Sequence, residues 1–236
     1  MYYSIIRTGV VLIILMVLSW GCLNQSPGRF DHTPKNQTSI QLPKKEANIS
    51  KDIIAASPEE RHIWQKPEMV ISKLGEIQGK VIADIGAGTG YFSFRFLPYA
   101  AKVIAVDVDP KMVRLMNSHK KSLPDSLRDK FEARLSKEDD PLLADNEADI
   151  VFMANVYPYI KEQSIPYLQH LKNSLKAGGK LMIVDFKKKH TPIGPPLRTR
   201  VALGDVEDDL IQSGFEILES DDRTLSYQYM IVAQRK

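Results

Sequence analysis

The chain has 236 residues, a formal net charge of +3 and a pI of about 8.8. That length allows one large domain or two small ones. So mild a basicity makes no electrostatic case for nucleic acid, and no basic stripe interleaved with base-stacking aromatics is present. The one cysteine, Cys22, excludes an internal disulfide.

In chain order, the first feature is the apolar run Gly9 to Leu18 (GVVLIILMVL), preceded by Arg7 and followed by Ser19-Trp20-Gly21-Cys22. A short positive region, a short apolar region and a small residue describe a secretory signal. The cysteine directly after Gly21 resembles a bacterial lipoprotein cleavage site, so residues 1–22 are expected to be a signal peptide or membrane anchor, lipid-attached at Cys22. The rival is a single-pass anchor with the domain on the cytoplasmic side, although the run falls short of the ~20 residues a spanning helix needs. Residues 23–57 are polar, broken by Pro27, Pro34 and Pro43, and lack apolar periodicity. They read as a disordered tether.

The folded part is expected over residues 58–236. Pro58 to Leu74 reads as a helical lead-in divided by Pro67, with Pro58 at the first helical position. Four apolar runs then follow almost without alternation: Val81–Ile85, Val103–Val106, Asp149–Ala154 and Leu181–Phe186. Runs apolar on both faces suit parallel strands covered by helices on each side. Helices are expected at Tyr91–Tyr99, at Pro110–His119, and over Leu168, Leu171 and Leu175, the last stopping at Gly178-Gly179. A further helix, about Asp205 to Ser213, ends at Gly214. Phe215–Glu219 and Gln228–Gln234 are the last two strands. The alternation predicts an α/β fold, a doubly wound, mostly parallel sheet.

The chemistry gathers in VIADIGAGTG (Val81 to Gly90). An apolar strand meets an acid and then a glycine loop. Seventeen residues past Gly90 a second apolar strand ends in Asp107. A dinucleotide fingerprint reads G-x-G-x-x-G; Gly86 and Gly88 fit it, but Tyr91 holds the third place and the glycine falls at Gly90. Asp84 would repel a pyrophosphate and attract an ammonium group. S-adenosylmethionine carries an α-ammonium and a sulfonium and no phosphate, so it fits the charge pattern.

Over residues 58–236 these motifs resemble the class I S-adenosylmethionine-dependent methyltransferases. Asp84, Gly86, Gly88 and Gly90 match that family's first motif, Asp107 its acid at the end of strand two, and LKAGGKLMIVDF (Leu175 to Phe186) its turn and fifth strand. The resemblance implies a Rossmann-like sheet of seven strands, the last antiparallel, with S-adenosylmethionine as cofactor. Asp84 would hold the methionine ammonium and Asp107 the ribose hydroxyls. The cofactor-binding set implied is Asp84, Gly86, Ala87, Gly88, Gly90, Asp107, Val108, Glu138, Asp139 and Asn155. Asp109 rivals Asp107 in register but reads better as a cap for the Pro110 helix. The family's acid facing adenine falls at Lys137 here, so that acid is missing; Glu138 or Asp139 would substitute for it, and a solvated acidic loop is the alternative.

The acceptor is less legible. The candidates are Asn155 and Tyr157 in NVYPY after strand four, against plain loop packing, and His190 after strand five. The Lys187-Lys188-Lys189 run beside His190 suits an anionic substrate or lipid headgroups, or is a solvated face. Trp64 and Gln65 lid the cofactor or pack. No His/Asp/Glu cluster has metal spacing. The expectation is methyl transfer to a small-molecule or lipid-like acceptor, with membrane association through the N-terminus and no nucleic acid. The rivals are a tethered non-catalytic module that keeps the fold and, more distantly, a nicotinamide oxidoreductase.

Overall fold

The computed structural model describes residues 58–236, with side chains from Glu60 onward. The expected signal or anchor, Cys22 and the 23–57 tether lie outside the described residues. Among the described residues no helix is long and apolar enough to cross a membrane.

The lead-in is two helices, α1 (Pro58–Gln65) and α2 (Pro67–Ser72), separated at Lys66 with φ 47 and ψ 62. The break falls where the sequence puts it. Proline at the start of α2 cannot donate back into α1, and the residue before a proline is driven out of the helical region.

Then come β1 (Val81–Ile85), α3 (Ser93–Phe96), β2 (Lys102–Asp107), α4 (Pro110–Lys121), α5 (Asp125–Arg128), β3 (Phe131–Leu135), β4 (Ala148–Ala154), α6 (Tyr157–Ile160), α7 (Ser164–Ser174), β5 (Leu175–Phe186), α8 (Leu203–Gln212), β6 (Phe215–Asp221) and β7 (Gln228–Arg235). The strands form one seven-stranded sheet in the order β3-β2-β1-β4-β5-β7-β6. Neighbours from β3 to β5 are parallel, and β7 runs antiparallel between β5 and β6. The expected doubly wound sheet with an antiparallel last strand is the fold observed.

The doubly apolar runs have a cover on each face. One face packs Val70, Leu74, Phe92, Phe96 and Met116 from the lead-in, α3 and α4 onto Ile82, Val103, Phe152 and Val184. The other packs Leu168 and Leu171 of α7 with Val206 and Leu210 of α8 onto Ile85, Val106, Met153 and Ile183. Strand order reverses between β1 and β4, which opens a crevice at the carboxyl ends of the strands.

Two details differ from expectation. The helix expected over Tyr91–Tyr99 is regular only at Ser93–Phe96. The glycine pair Gly178-Gly179 does not stop a helix: α7 has already left helical geometry at Leu175 (ψ 140), and the pair lies inside β5, with Gly178 at φ 71.

Candidate functional site

The glycine loop turns immediately after β1. Gly86 (φ 65) and Gly88 (φ 58) both occupy the left-handed region, where a β-carbon is strained. Their surroundings differ. A β-carbon on Gly86 would lie 2.3 Å from Val156 Cγ2, whereas one on Gly88 would meet nothing within 4 Å. Gly86 therefore lets the loop press on the segment after β4. Gly88 turns bare backbone toward open space, where a ligand can approach it.

Asp107 ties the loop to β2. Its Oδ2 accepts the Gly88 N–H at 2.7 Å and its Oδ1 the Asp109 N–H at 2.8 Å. Asp109 caps α4 by accepting the Lys111 N–H at 2.7 Å. The register ambiguity is thus resolved geometrically: the first acid stands at the loop and the second caps the helix. Val108 between them is exposed. Ala87 is held by its N–H donating to the Val106 carbonyl.

Asp84 is 3% exposed and accepts Ser93 Oγ–H at 2.5 Å. Burial pushes its carboxyl up to about 7, against the opposing pull of the Ser93 hydrogen bond and the Arg61 charge. Arg61, on α1, lies over the Tyr91 ring 4.0 Å from its centroid. Burial lowers its guanidinium to about 10, opposed by Tyr91 and Asp84. A buried carboxylate within the field of a half-buried guanidinium suits the two ends of a zwitterionic amino acid.

At the end of β4, Asn155 sits at φ 63 with its N–H donating to the Val184 carbonyl. Its Oδ1 accepts from Gln228 Nε2 at 2.5 Å, Gln228 Oε1 accepts from Gln65 Nε2 at 3.0 Å, and Gln65 Oε1 accepts from Arg61 Nε at 2.5 Å. Gln65 and Gln228 are fully buried. Trp64 packs on Phe186, centroids 5.5 Å apart. The lead-in helix therefore reaches across to the acceptor end, as the lid reading requires, through residues that the packing reading also predicts to be buried.

Of the remaining candidates, Tyr157 is turned away from this mouth. Tyr157 is wholly buried, and its hydroxyl donates to Asp209 Oδ2 of α8 at 2.6 Å, with Lys161 on the same oxygen. Burial and that carboxylate push its phenol far up. Tyr157 is a core residue, because the acceptor segment turns it inward onto α8. His190 is exposed on the loop that follows the carboxyl end of β5. The side chains of Glu138 and Asp139 are exposed after β3 and bond nothing among the described residues. Ser136 N–H, donating to the Asp107 carbonyl, anchors that loop beside the site.

Two residues escaped the sequence reading. Asp185, near the end of β5, is 1% exposed and accepts the Phe186 and Tyr157 N–H groups at 2.7 and 3.2 Å. Burial lifts it to about 7, and it fastens the acceptor segment to β5. Arg200, 5% exposed, donates to the carbonyls of Lys187, Lys189, Ile193 and Pro195. It gathers the 187–200 loop around itself and leaves Lys188, Lys189, His190 and Arg198 facing outward. The signal for Asp185 was present: like Asp84 and Asp107, it is an acid closing an apolar strand.

Among the described residues no His, Cys, Asp and Glu group could hold a metal ion. A concavity of about 280 Å³ lies at the amino ends of the strands, between Leu74, Lys80, Asp149 and Lys176, and so opposite the glycine loop.

Residues 83–181 match a family described as a methyltransferase domain. The tRNA U34 carboxymethyltransferase of Haemophilus influenzae is 31% identical over 120 residues, which is 50% of this chain and 36% of that protein. Its counterpart in Pseudomonas aeruginosa is 34% identical over 122 residues, 51% and 35% of the two chains. The chain thus spans about a third of the length of the curated relatives it matches. A SAM dependent methyltransferase from Aquifex aeolicus superposes with a TM-score of 0.71 at 25% identity, over 81% of this chain and 100% of that one. The residues present fit S-adenosylmethionine: open backbone at Gly88, a buried acid at Asp84 and a second acid, Asp107, at the end of the neighbouring strand. Residues 83–181 thus carry the methyltransferase-domain match, the described part of the chain has the fold of the S-adenosylmethionine-dependent methyltransferases, and S-adenosylmethionine is the cofactor.

Proposed function

We propose that the protein transfers the S-adenosylmethionine methyl group to a small-molecule or lipid-like acceptor that carries an anionic group and enters between the segments after β4 and β5. The observation that carries this reading is the loop wrapped on Arg200. It presents Lys188, Lys189, His190 and Arg198 to solvent at the carboxyl ends of the strands, on the same sheet end as Tyr159, 68% exposed. Exposed lysines and an arginine on the same sheet end as an exposed aromatic suit an amphiphilic anion better than a neutral solute.

When bound, the cofactor supplies a methyl group already activated by its sulfonium. The chain's own part is orientation and exclusion of water. In this reading Asp107 would hold the ribose hydroxyls, Asp84 the ammonium and Arg61 the carboxylate of the methionine portion. Trp64 and Gln65 roof the site from α1. No residue at the mouth is set up as a strong base, which suits an acceptor that arrives nucleophilic or loses its proton to solvent.

A second reading is favoured by one observation, the likeness to tRNA U34 carboxymethyltransferases. An RNA acceptor would present phosphates to the same cations. Incubation with methyl-tritiated S-adenosylmethionine and, separately, bulk tRNA, extracted lipids and a small-anion metabolite pool distinguishes them. Label in the lipid or small-anion fraction supports the first reading. Label confined to tRNA replaces it, and cofactor binding without turnover in any fraction supports a non-catalytic module. We further propose lipid attachment at Cys22 and a membrane-associated protein; Cys22→Ser should abolish metabolic labelling with palmitate, and persistent labelling would reject that attachment.

A further inference from the structure

The side-chain chain from Arg61 to Asn155 has a direction. A guanidinium has only donors, so the group of Gln65 that faces Arg61 Nε at 2.5 Å must be its oxygen. The Gln65 amide nitrogen is then left to face Gln228, and meets its Oε1 at 3.0 Å. Gln228 in turn shows its nitrogen to Asn155, whose Oδ1 accepts it at 2.5 Å. Each primary amide passes on the orientation it receives, because its carbonyl and NH₂ ends lie on opposite sides of one planar group. The two glutamines are fully buried, where a reversed amide would put like groups face to face and leave polar atoms unpaired, at a cost of about 1–3 kcal/mol each.

The last member is left with one unspent group. Asn155 Nδ2 has no partner among the described residues, while its oxygen is taken. Asn155 is only half-buried, sits in a left-handed conformation at the end of β4, and precedes the Val156 side chain that packs against Gly86. Its free amide therefore belongs to the mouth beside the glycine loop.

We propose that Arg61, Gln65 and Gln228 are positioning residues that fix the polarity of Asn155, so that it meets ligand as a hydrogen-bond donor and the mouth selects a carboxylate, carbonyl or phosphate oxygen over an amine N–H. The ligand preference rests on the methyl-transfer reading above; the relay rests on geometry alone. An amine N–H would need the Asn155 oxygen, and here that oxygen faces inward to Gln228, which leaves the NH₂ end for the mouth.

The test reverses the relay from its far end. In Gln65→Glu the new carboxylate pairs with Arg61 and offers only acceptors to the next residue. Gln228 must then turn its nitrogen toward position 65 and its oxygen toward Asn155, which must turn its nitrogen inward. Side-chain amide exchange in the ¹⁵N-labelled protein reads this without ligand, the Asn155 pair being assigned by its loss in Asn155→Ser. In the unaltered protein both Asn155 amide protons should exchange quickly, while those of Gln65 and Gln228 that make the relay bonds are protected. Gln65→Glu should slow one Asn155 proton at least about tenfold. An Asn155 pair already as protected as Gln228, or unchanged in Gln65→Glu, overturns the relay. Gln65→Met, neutral and similar in shape, removes the directing acceptor without burying charge and should give an intermediate exchange rate; rates equal to the unaltered protein would also overturn it.

The ligand preference is read in protein saturated with S-adenosylhomocysteine. Millimolar formate should shift the Asn155 amide signals and methylammonium should not, with the order reversed in Gln65→Glu. Equal responses to the two ions, or a preference for methylammonium in the unaltered protein, overturn the preference. Failure to bind S-adenosylhomocysteine at all would instead refute the methyl-transfer reading, with amide exchange still deciding the relay.

Discussion

Replacing Asp84 by asparagine should stabilise the cofactor-free domain at alkaline pH and cripple cofactor binding. Asp84 is 3% exposed, and its carboxyl is raised from the ordinary 3.8 to about 7. A group raised in the folded state contributes stability that is fully present below its unfolded value and is lost as pH climbs through its folded value. Between pH 4 and 8 the shift of some three units corresponds to about 4 kcal/mol lost on ionisation, at about 1.4 kcal/mol per unit. Arg61 already acts on that value, so its attraction must not be counted again. The asparagine amide mimics the neutral acid and can still accept from Ser93. We therefore expect a gain of about 2–4 kcal/mol at pH 8, which for a domain of this size is about 5–10 °C in Tm.

The two proteins should melt nearly together only below about pH 4, and at pH 5 the variant should already lead by about 1–2 kcal/mol. Asp185, also lifted to about 7 by burial, remains in the variant, so only part of the decline in stability with pH should disappear. Binding moves the other way. An ammonium partner requires the ionised acid, so affinity of the unaltered protein for S-adenosylhomocysteine should fall about tenfold from pH 8 to pH 6. Calorimetry near pH 6.5 should register proton release. Melting and titration across pH 5–8 decide the matter: a variant no more stable than the parent at pH 8, or one that binds S-adenosylhomocysteine unimpaired, would refute the reasoning.

Three further outcomes follow from the geometry. Gly86→Ala should lower Tm and S-adenosylhomocysteine affinity far more than Gly88→Ala, since both incur about 1–2 kcal/mol of left-handed strain but only the first meets Val156; equal melting shifts would contradict the packing argument. Asp107→Ala should weaken S-adenosylhomocysteine by about 1–3 kcal/mol through lost charge-assisted hydrogen bonds, and unchanged affinity by calorimetry would remove it from the site. Arg134, bonded bidentately to Glu147 and to Leu142 and Glu132, holds the edge of the sheet; Arg134→Ala should cost about 1–3 kcal/mol of stability in denaturant unfolding and leave cofactor affinity unchanged.

The parallel strands that carry the site were legible because burial on two faces leaves no polar positions to interrupt them. β3 was not delimited from the pattern, for the opposite reason. It is an edge strand, and its FEARL sequence places Glu132 and Arg134 where they pair with each other and with Lys102 and Glu147. Satisfied charges at an edge look like a loop when read one residue at a time. The helix after the glycine loop shrank because Phe92 and Phe96 stack at one-turn spacing while Phe94 turns to Phe131. That aromatic packing fixes the segment with little regular helix.

The acceptor side was hard to read because its key contacts join residues far apart in sequence. Nothing local marks Gln228 as the partner of both Gln65 and Asn155, or Tyr157 as the partner of Asp209. A polar residue opening a buried strand, or a tyrosine after a strand end, has many structural uses, and only the fold selects one.

The three strand-closing acids show how the site divides its work. Asp107 and Asp185 each accept two backbone N–H groups and hold a loop. Asp84 accepts only from Ser93, through its hydroxyl and its backbone N–H, and is otherwise buried with Arg61 acting on it as an unbonded charge. A carboxylate left in that state raises the energy of the cofactor-free domain, and a bound ammonium lowers it. The cofactor's amino end thus supplies a partner that the fold withholds, which is why cofactor-induced stabilisation should grow with pH through 7 instead of staying constant. A merely packed Asp84, as in a tight turn with no ligand, gives no reason for the fold to keep a buried acid without an ion-pair partner beside open glycine backbone.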